Sequence, residues 1–104
     1  MDLNKMMRQL QQTQARMAEL QEQLAARTLE ATAGGGMVKV AVNGRNEVLS
    51  IRIDPQVVDP GDVEMLEDLV VAAVNEARQR VEEMTRAEMS RVAGGLGLPG
   101  MPGV

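Results

Sequence analysis

The 104-residue sequence contains no cysteine, no histidine and no aromatic residue. The first two absences remove thiol and imidazole nucleophiles, the commonest general base, and the ligands that zinc and copper sites use. Carboxylates are present, but no pair of them has the spacing of a hydrolytic site or of a calcium loop. We therefore expect no enzyme activity, no metal, no cofactor and no small-molecule substrate.

The absence of Phe, Tyr and Trp also limits how the chain can build a core. A single domain of this length must be packed from aliphatic side chains and from its nine methionines. Burial between two subunits would supply part of the apolar contact that aromatic residues usually give. We therefore expect a homodimer.

Long hydrophobic runs are missing as well. The longest aliphatic run extends from Leu69 to Val74, whereas a membrane-spanning helix needs about 20 apolar residues. The start of the chain, Met1 to Lys5, shows no charged-then-apolar signal pattern. We expect a cytoplasmic protein with no membrane partner.

The net charge of −4 argues against binding to nucleic acid, because phosphate contacts need local positive potential. Its distribution weakens this objection. Residues 54–76 hold seven acidic and no basic residues, and the rest of the chain carries eleven basic and eight acidic residues. A dimer whose acidic parts lie at its centre would carry positive charge on its outer parts.

The first predicted helix, from Leu3 to about Arg27, has apolar residues that repeat with the period of a coiled coil. Heptad positions a and d are apolar except at Thr13. The apolar residues at these positions are Leu3, Met6, Leu10, Met17, Leu20 and Leu24. This spacing predicts an amphipathic helix with a narrow apolar seam. Three heptads do not decide between a coiled coil and a helix packed on its own domain.

Three segments with alternating apolar residues predict strands, at Thr28 to Ala33, Met37 to Asn43 and Glu47 to Asp54. We expect an antiparallel meander with its apolar face covered by a helix. A four-residue turn in the second hairpin would pair Val40 with Leu49. The three glycines at 34–36 predict a connection rather than a phosphate loop, since no Gly-Lys-Ser/Thr follows.

The second predicted helix begins at Pro60, with Asp59 as its cap, and ends near Ala93 before two glycines. Its length of about 50 Å exceeds the diameter of a compact domain of this size, so it must project. Its first half carries an apolar stripe wide enough to contact more than one surface. We predict a dimer interface at Leu66, Leu69, Val70, Ala73, Val74 and Ala77.

The last eleven residues, 94–104, contain five glycines and two prolines. This composition predicts a disordered tail after a single dimerising domain at 1–93. A docking peptide for a protein partner, made by Leu96, Leu98 and Met101, is the alternative.

Four segments, in this order, resemble the YbaB/EbfC family of bacterial nucleoid-associated proteins. They are the Met- and Gln-rich first helix, the glycine run with MVKVAVNGRNEVLSIRIDP, the segment VVDPGDVEMLEDLVVAAVNEA and the GGLGLPG tail. The resemblance implies an α+β subunit of order α-β-β-β-α, a tweezer-like homodimer with projecting helical arms, and DNA binding without cofactor or catalysis. It also implies roles in nucleoid organisation or gene regulation.

The leading hypothesis is a non-enzymatic homodimer, located in the nucleoid, that binds duplex DNA through basic residues on its arms. Charge and helix placement point to Lys5, Arg8, Arg16, Arg86 and Arg91. The alternative is an adaptor dimer that engages another protein through Met-rich helical surfaces and the apolar tail. Solvation of mixed-charge helix faces is the simplest reading of the same basic residues.

Overall fold

A computed structural model of the chain describes residues 2–95. The elements follow the order α1 (Leu3–Ala26), β1 (Thr28–Ala33), β2 (Val38–Asn43), β3 (Val48–Ile53) and α2 (Val63–Gly95), with a short 3-10 helix at Pro55–Val57 before α2. The three strands form one antiparallel sheet in the order β1-β2-β3. The predicted α-β-β-β-α order is confirmed. The predicted tail began at residue 94, but Gly94 and Gly95 form the end of α2, and residues 96–104 lie outside the described residues.

The second hairpin pairs its strands in a register that differs from the predicted one. Val40 lies opposite Ile51, not Leu49, and a bulge interrupts the pairing between Ala41 and Val42. Asn46 closes the turn in the left-handed conformation, with φ of 65°. The prediction was wrong because the bulge adds a residue to one strand, which allows a three-residue loop to keep the apolar residues on one face.

The start of α2 also differs from the prediction. The helix begins at Val63, and the Asp62 side chain caps it by accepting a hydrogen bond from the Met65 N–H at 3.2 Å. Asp59 instead caps the preceding turn, where its carboxylate accepts from the Gly61 N–H at 2.9 Å. Two carboxylates three residues apart both suit helix capping, and the sequence does not show which one marks the first turn.

The core lies between α2 and the first two strands. Helix α2 packs on β1 and β2, and the three valines on the inner face of β2 are completely buried. The buried cluster comprises Ala31, Val38, Val40, Val42, Ala73, Ala77 and Val81. Because a helix about 10 Å wide covers roughly two strands spaced about 4.8 Å apart, β3 stays outside this core.

The molecule is elongated, with principal extents of 74 × 25 × 16 Å and a radius of gyration of 20.0 Å. A compact domain of this length has a radius of gyration of about 13 Å. The excess comes from two helices that extend beyond the sheet. The predicted projection of the helices is confirmed.

Candidate nucleic-acid interface and apolar faces

The first half of α1 is an exposed arm. Every residue from Asp2 to Arg16 is exposed, and burial begins only at Met17 and Leu20 and becomes nearly complete at Leu24. The side chain of Asp2 caps the helix by accepting from the Asn4 N–H at 3.1 Å. This segment, residues 2–16, is called the arm below.

The arm carries three of the five predicted DNA-binding residues, Lys5, Arg8 and Arg16. Asp2 is its only acidic residue, so the arm has a net charge of +2. Within residues 2–95 no carboxylate lies at ion-pair distance from these three bases. Their charges are therefore available to an external anion.

The two candidates on α2 have different surroundings. Arg86 is exposed and has no ion-pair partner among the described residues. Arg91 forms an ion pair with Glu88 at 3.2 Å, and Arg27 contacts the same carboxylate at 3.4 Å. Arg91 therefore offers less free positive charge than the arm residues, which the sequence alone did not show.

The acidic residues lie away from the arm. Of the seven acids of residues 54–76, Asp54 caps the 3-10 helix and two lie in the loop after it. The other four lie on the first half of α2, which covers the sheet. The sheet end of the molecule is therefore acidic and the arm is basic. This separation allows an acidic protein to present a local positive surface.

The six predicted dimer-interface residues all pack against the sheet of their own subunit. Ala73 and Ala77 are completely buried there, so they have no surface left for a partner in this arrangement. Leu69 contacts the turn between β1 and β2, where a Cβ added at Gly34 would lie 3.0 Å from its Cδ2 atom. Leu66, Leu69, Val70 and Val74 are half-buried, and their role between subunits stays a prediction.

A second apolar surface, which the sequence reasoning missed, lies on β3. All six residues of β3 are exposed, and four of them are large and apolar: Val48, Leu49, Ile51 and Ile53, with 38–54% of their surface exposed. This set is called the β3 face below. Ile51 and Ile53 lie opposite Val40 and Val38, so they continue the apolar face of the sheet beyond the edge of α2.

An open groove of about 890 Å³ separates α1 from the hairpin turn and α2. Its lining is mixed, with Glu19 and Glu22 on one side, Arg45 at the turn, and Thr85 and Met89 on α2. Among residues 2–95, no group of three or more carboxylates is arranged to hold a metal ion. Neither helix, over its described length, is long and apolar enough to cross a bilayer.

The comparisons with known proteins agree with the resemblance seen in the sequence. The chain matches the model of the YbaB/EbfC DNA-binding family over residues 1–96. It is 57% identical over 95 residues to a nucleoid-associated protein of Syntrophobacter fumaroxidans, covering 91% of this chain and 86% of the relative. It is also 57% identical over 99 residues to a nucleoid-associated protein of Moorella thermoacetica, covering 95% of each chain.

A solved structure with the same fold supports this family assignment. The crystal structure of an uncharacterised protein from Helicobacter pylori has a TM-score of 0.73 and 25% sequence identity to this chain, and the match covers 88% of this chain and 97% of the other. Since the family model matches almost the whole length and the order of elements fits, the chain belongs to the YbaB/EbfC DNA-binding family.

Proposed function

We propose that the protein binds duplex DNA as a homodimer, with the arms contacting phosphates. The observation that carries this proposal is the arm itself, an exposed helix with one terminal acid and three bases that have no ion-pair partner among residues 2–95. Free guanidinium and ammonium groups bind phosphate by releasing counterions from DNA. The paired bases on the body, such as Arg80 with Glu76 at 3.6 Å, are weaker candidates.

The spacing of the arm bases suits a duplex. Arg8 and Arg16 are eight residues apart, which corresponds to about 12 Å along a helix and is close to the width of the major groove. Side chains at this spacing reach phosphates on both sides of one groove. Contacts of this kind set position and affinity without reading base sequence.

The lack of aromatic residues favours duplex over single-stranded DNA. Proteins that bind single strands without sequence preference stack the bases on aromatic rings, and this chain has none. Binding should therefore be mainly electrostatic, and modest because the protein as a whole is acidic.

The β3 face supports the homodimer. Val48, Ile51 and Ile53 lie opposite the buried valines of β2, so these exposed apolar side chains share the inner face of the sheet. A patch of this kind marks an interaction site in a soluble protein. A two-fold contact between two such faces would extend the apolar core from one subunit into the next. The arms, which lie outside this contact, would then form two projecting basic helices.

The curated relatives support the cellular role. Those from Syntrophobacter fumaroxidans and Moorella thermoacetica are named nucleoid-associated proteins. We extend this name to the present chain as a proposed location in the nucleoid, with a role in organising DNA or regulating genes. Neither role requires a cofactor.

A salt series tests the proposal. The full-length protein would be titrated into a fluorescent mixed-sequence duplex at several salt concentrations, followed by anisotropy. We expect binding at low salt that weakens steeply as salt increases. Absence of binding at the lowest salt concentration would refute the DNA proposal and favour the adaptor hypothesis.

A further inference from the structure

The arm has a second exposed surface that DNA binding does not use. Leu3, Met6, Met7 and Leu10 expose 47–69% of their surface to solvent. Leu3, Met6 and Leu10 occupy the first a and d positions of the heptad seam, and Met7 lies beside them at an e position. These four residues are called the tip seam below. Exposed large apolar side chains at consecutive seam positions indicate a surface that lacks its packing partner.

The C-terminal part of the same seam, Met17 to Leu24, is already partly buried within the subunit. Leu24 is only 5% exposed, and Met17 and Leu20 are half-buried. Leu24 lines the same groove as Thr85 and Met89 of α2, and Arg27 at the end of α1 pairs with Glu88. The C-terminal half of the seam is therefore covered where α1 lies beside the hairpin turn and α2, and the tip seam continues the same line beyond this region.

Charge is arranged so that the tip seam can face a copy of itself. At 100° per residue, Lys5 and Arg8 lie about 130° and about 170° around the helix from the centre of the seam. The heptad positions that flank the tip seam hold no basic residue; they are Asp2, Met7, Gln9 and Gln14. Two tip seams can thus approach without repulsion between their bases, which stay on the outer side.

The form of the seam selects a helix as the partner. Helices that lie on membranes bury a wide apolar face. Apart from Met7, the large apolar residues of α1 occupy a and d positions alone, which make the narrow stripe that interlocks with another helix. A second copy supplies a seam of the same length and spacing. An antiparallel arrangement keeps the two sheets at opposite ends, whereas a parallel one would bring the α2 helix of each copy to the same level.

We infer that the tip seam of the arm pairs antiparallel with the tip seam of a second copy of this chain. The contact is small and therefore weak for isolated molecules, but it is strengthened where neighbouring proteins are held close together. Two proteins joined in this way keep Lys5 and Arg8 on the outside of the contact. The inference needs only the geometry of α1 and does not depend on DNA binding.

Disulfide trapping tests the inference, because the chain has no cysteine of its own. Met6→Cys places a thiol near the centre of the proposed contact, and Arg8→Cys places one on the outer side of the same turn. Both positions are exposed, so equal reaction with a small thiol reagent checks their accessibility. Under mild oxidation, we expect Met6→Cys to form covalent dimer about tenfold faster than Arg8→Cys, since pairing raises the effective thiol concentration.

Two further variants test whether crosslinking depends on the tip seam or on the β3 face. Adding Leu3→Gln and Leu10→Gln to Met6→Cys should reduce its rate to that of Arg8→Cys, while circular dichroism shows retained helix. Adding Ile51→Asp to Met6→Cys should leave the crosslink in place, which separates this contact from the proposed β3 interface. Equal rates for Met6→Cys and Arg8→Cys, or a rate unaffected by the glutamine changes, would overturn the inference.

Discussion

Gly44 lies directly against the Leu24 carbonyl group, so close that a Cβ atom on Gly44 would overlap the carbonyl oxygen. The Gly44 N–H also donates to the Ala25 carbonyl at 3.2 Å. This contact joins the turn between β2 and β3 to the last turn of α1. It therefore holds the C-terminal end of α1, from which the arm extends, against the sheet.

Gly44→Ala should destabilise the protein or displace α1 from the hairpin. The neighbouring atoms are backbone and cannot rotate away, so we expect a loss of about 1–3 kcal/mol in the free energy of unfolding. Urea unfolding followed by circular dichroism measures it. Gly94→Ala is the matched control, because nothing lies within 4 Å of its Cβ position. An unchanged urea midpoint for Gly44→Ala would refute the close contact.

Aspartate substitutions distinguish the subunit core from the proposed interface. Leu69→Asp should cause loss of helix content, because Leu69 packs on the core of its own subunit and an unpaired carboxylate there costs several kcal/mol. Ile51→Asp should retain helix content and halve the mass in sedimentation equilibrium, because Ile51 is 43% exposed on the β3 face.

Ser50→Asp is the control for this comparison. Ser50 is exposed, and it lies opposite Ala41 on the other face of the sheet. The variant should keep the mass of the unmodified protein. A monomeric mass for the unmodified protein at micromolar concentration, or no change in mass with Ile51→Asp, would contradict a dimer built on the β3 face.

Glu88→Gln should strengthen DNA binding. The change frees Arg27 and Arg91 from a shared carboxylate whose side chain is 15% exposed. Glu19→Gln alters net charge equally but breaks no ion pair among the described residues. In an anisotropy titration at low salt, the gain in affinity should be larger for Glu88→Gln. Equal gains would show that net charge, not release of the two arginines, controls affinity.

Local patterns predicted most of the fold. Alternating valines fixed the inner face of β2, and the heptad spacing from Leu3 to Leu24 identified α1 to within one residue at its end. The hairpin register was missed because a bulge after Ala41 leaves no pattern of its own. The start of α2 was missed because Asp59 and Asp62 have equivalent capping chemistry.

The candidate site was harder to predict because it depends on tertiary placement. The basic residues of the arm could be selected from charge and helix position. The ion pair between Arg91 and Glu88 could be recognised only in the structure. Ala73 was assigned to an interface from its position on an apolar stripe, yet it is completely buried within the subunit. Periodicity shows which side of a helix is apolar, and not whether the same chain or another covers it.

The central claim, that the arms carry the DNA contacts, is tested most directly by the salt dependence of duplex binding in two matched double variants. Arg8→Gln with Arg16→Gln removes two arm charges, and Lys39→Gln with Arg52→Gln removes two charges from the outer face of the sheet. For the arm variant, the slope of log K against log salt should fall by about 1.8 per subunit. The sheet variant should keep the original slope. A reduced slope in the sheet variant with an unchanged slope in the arm variant would contradict the account.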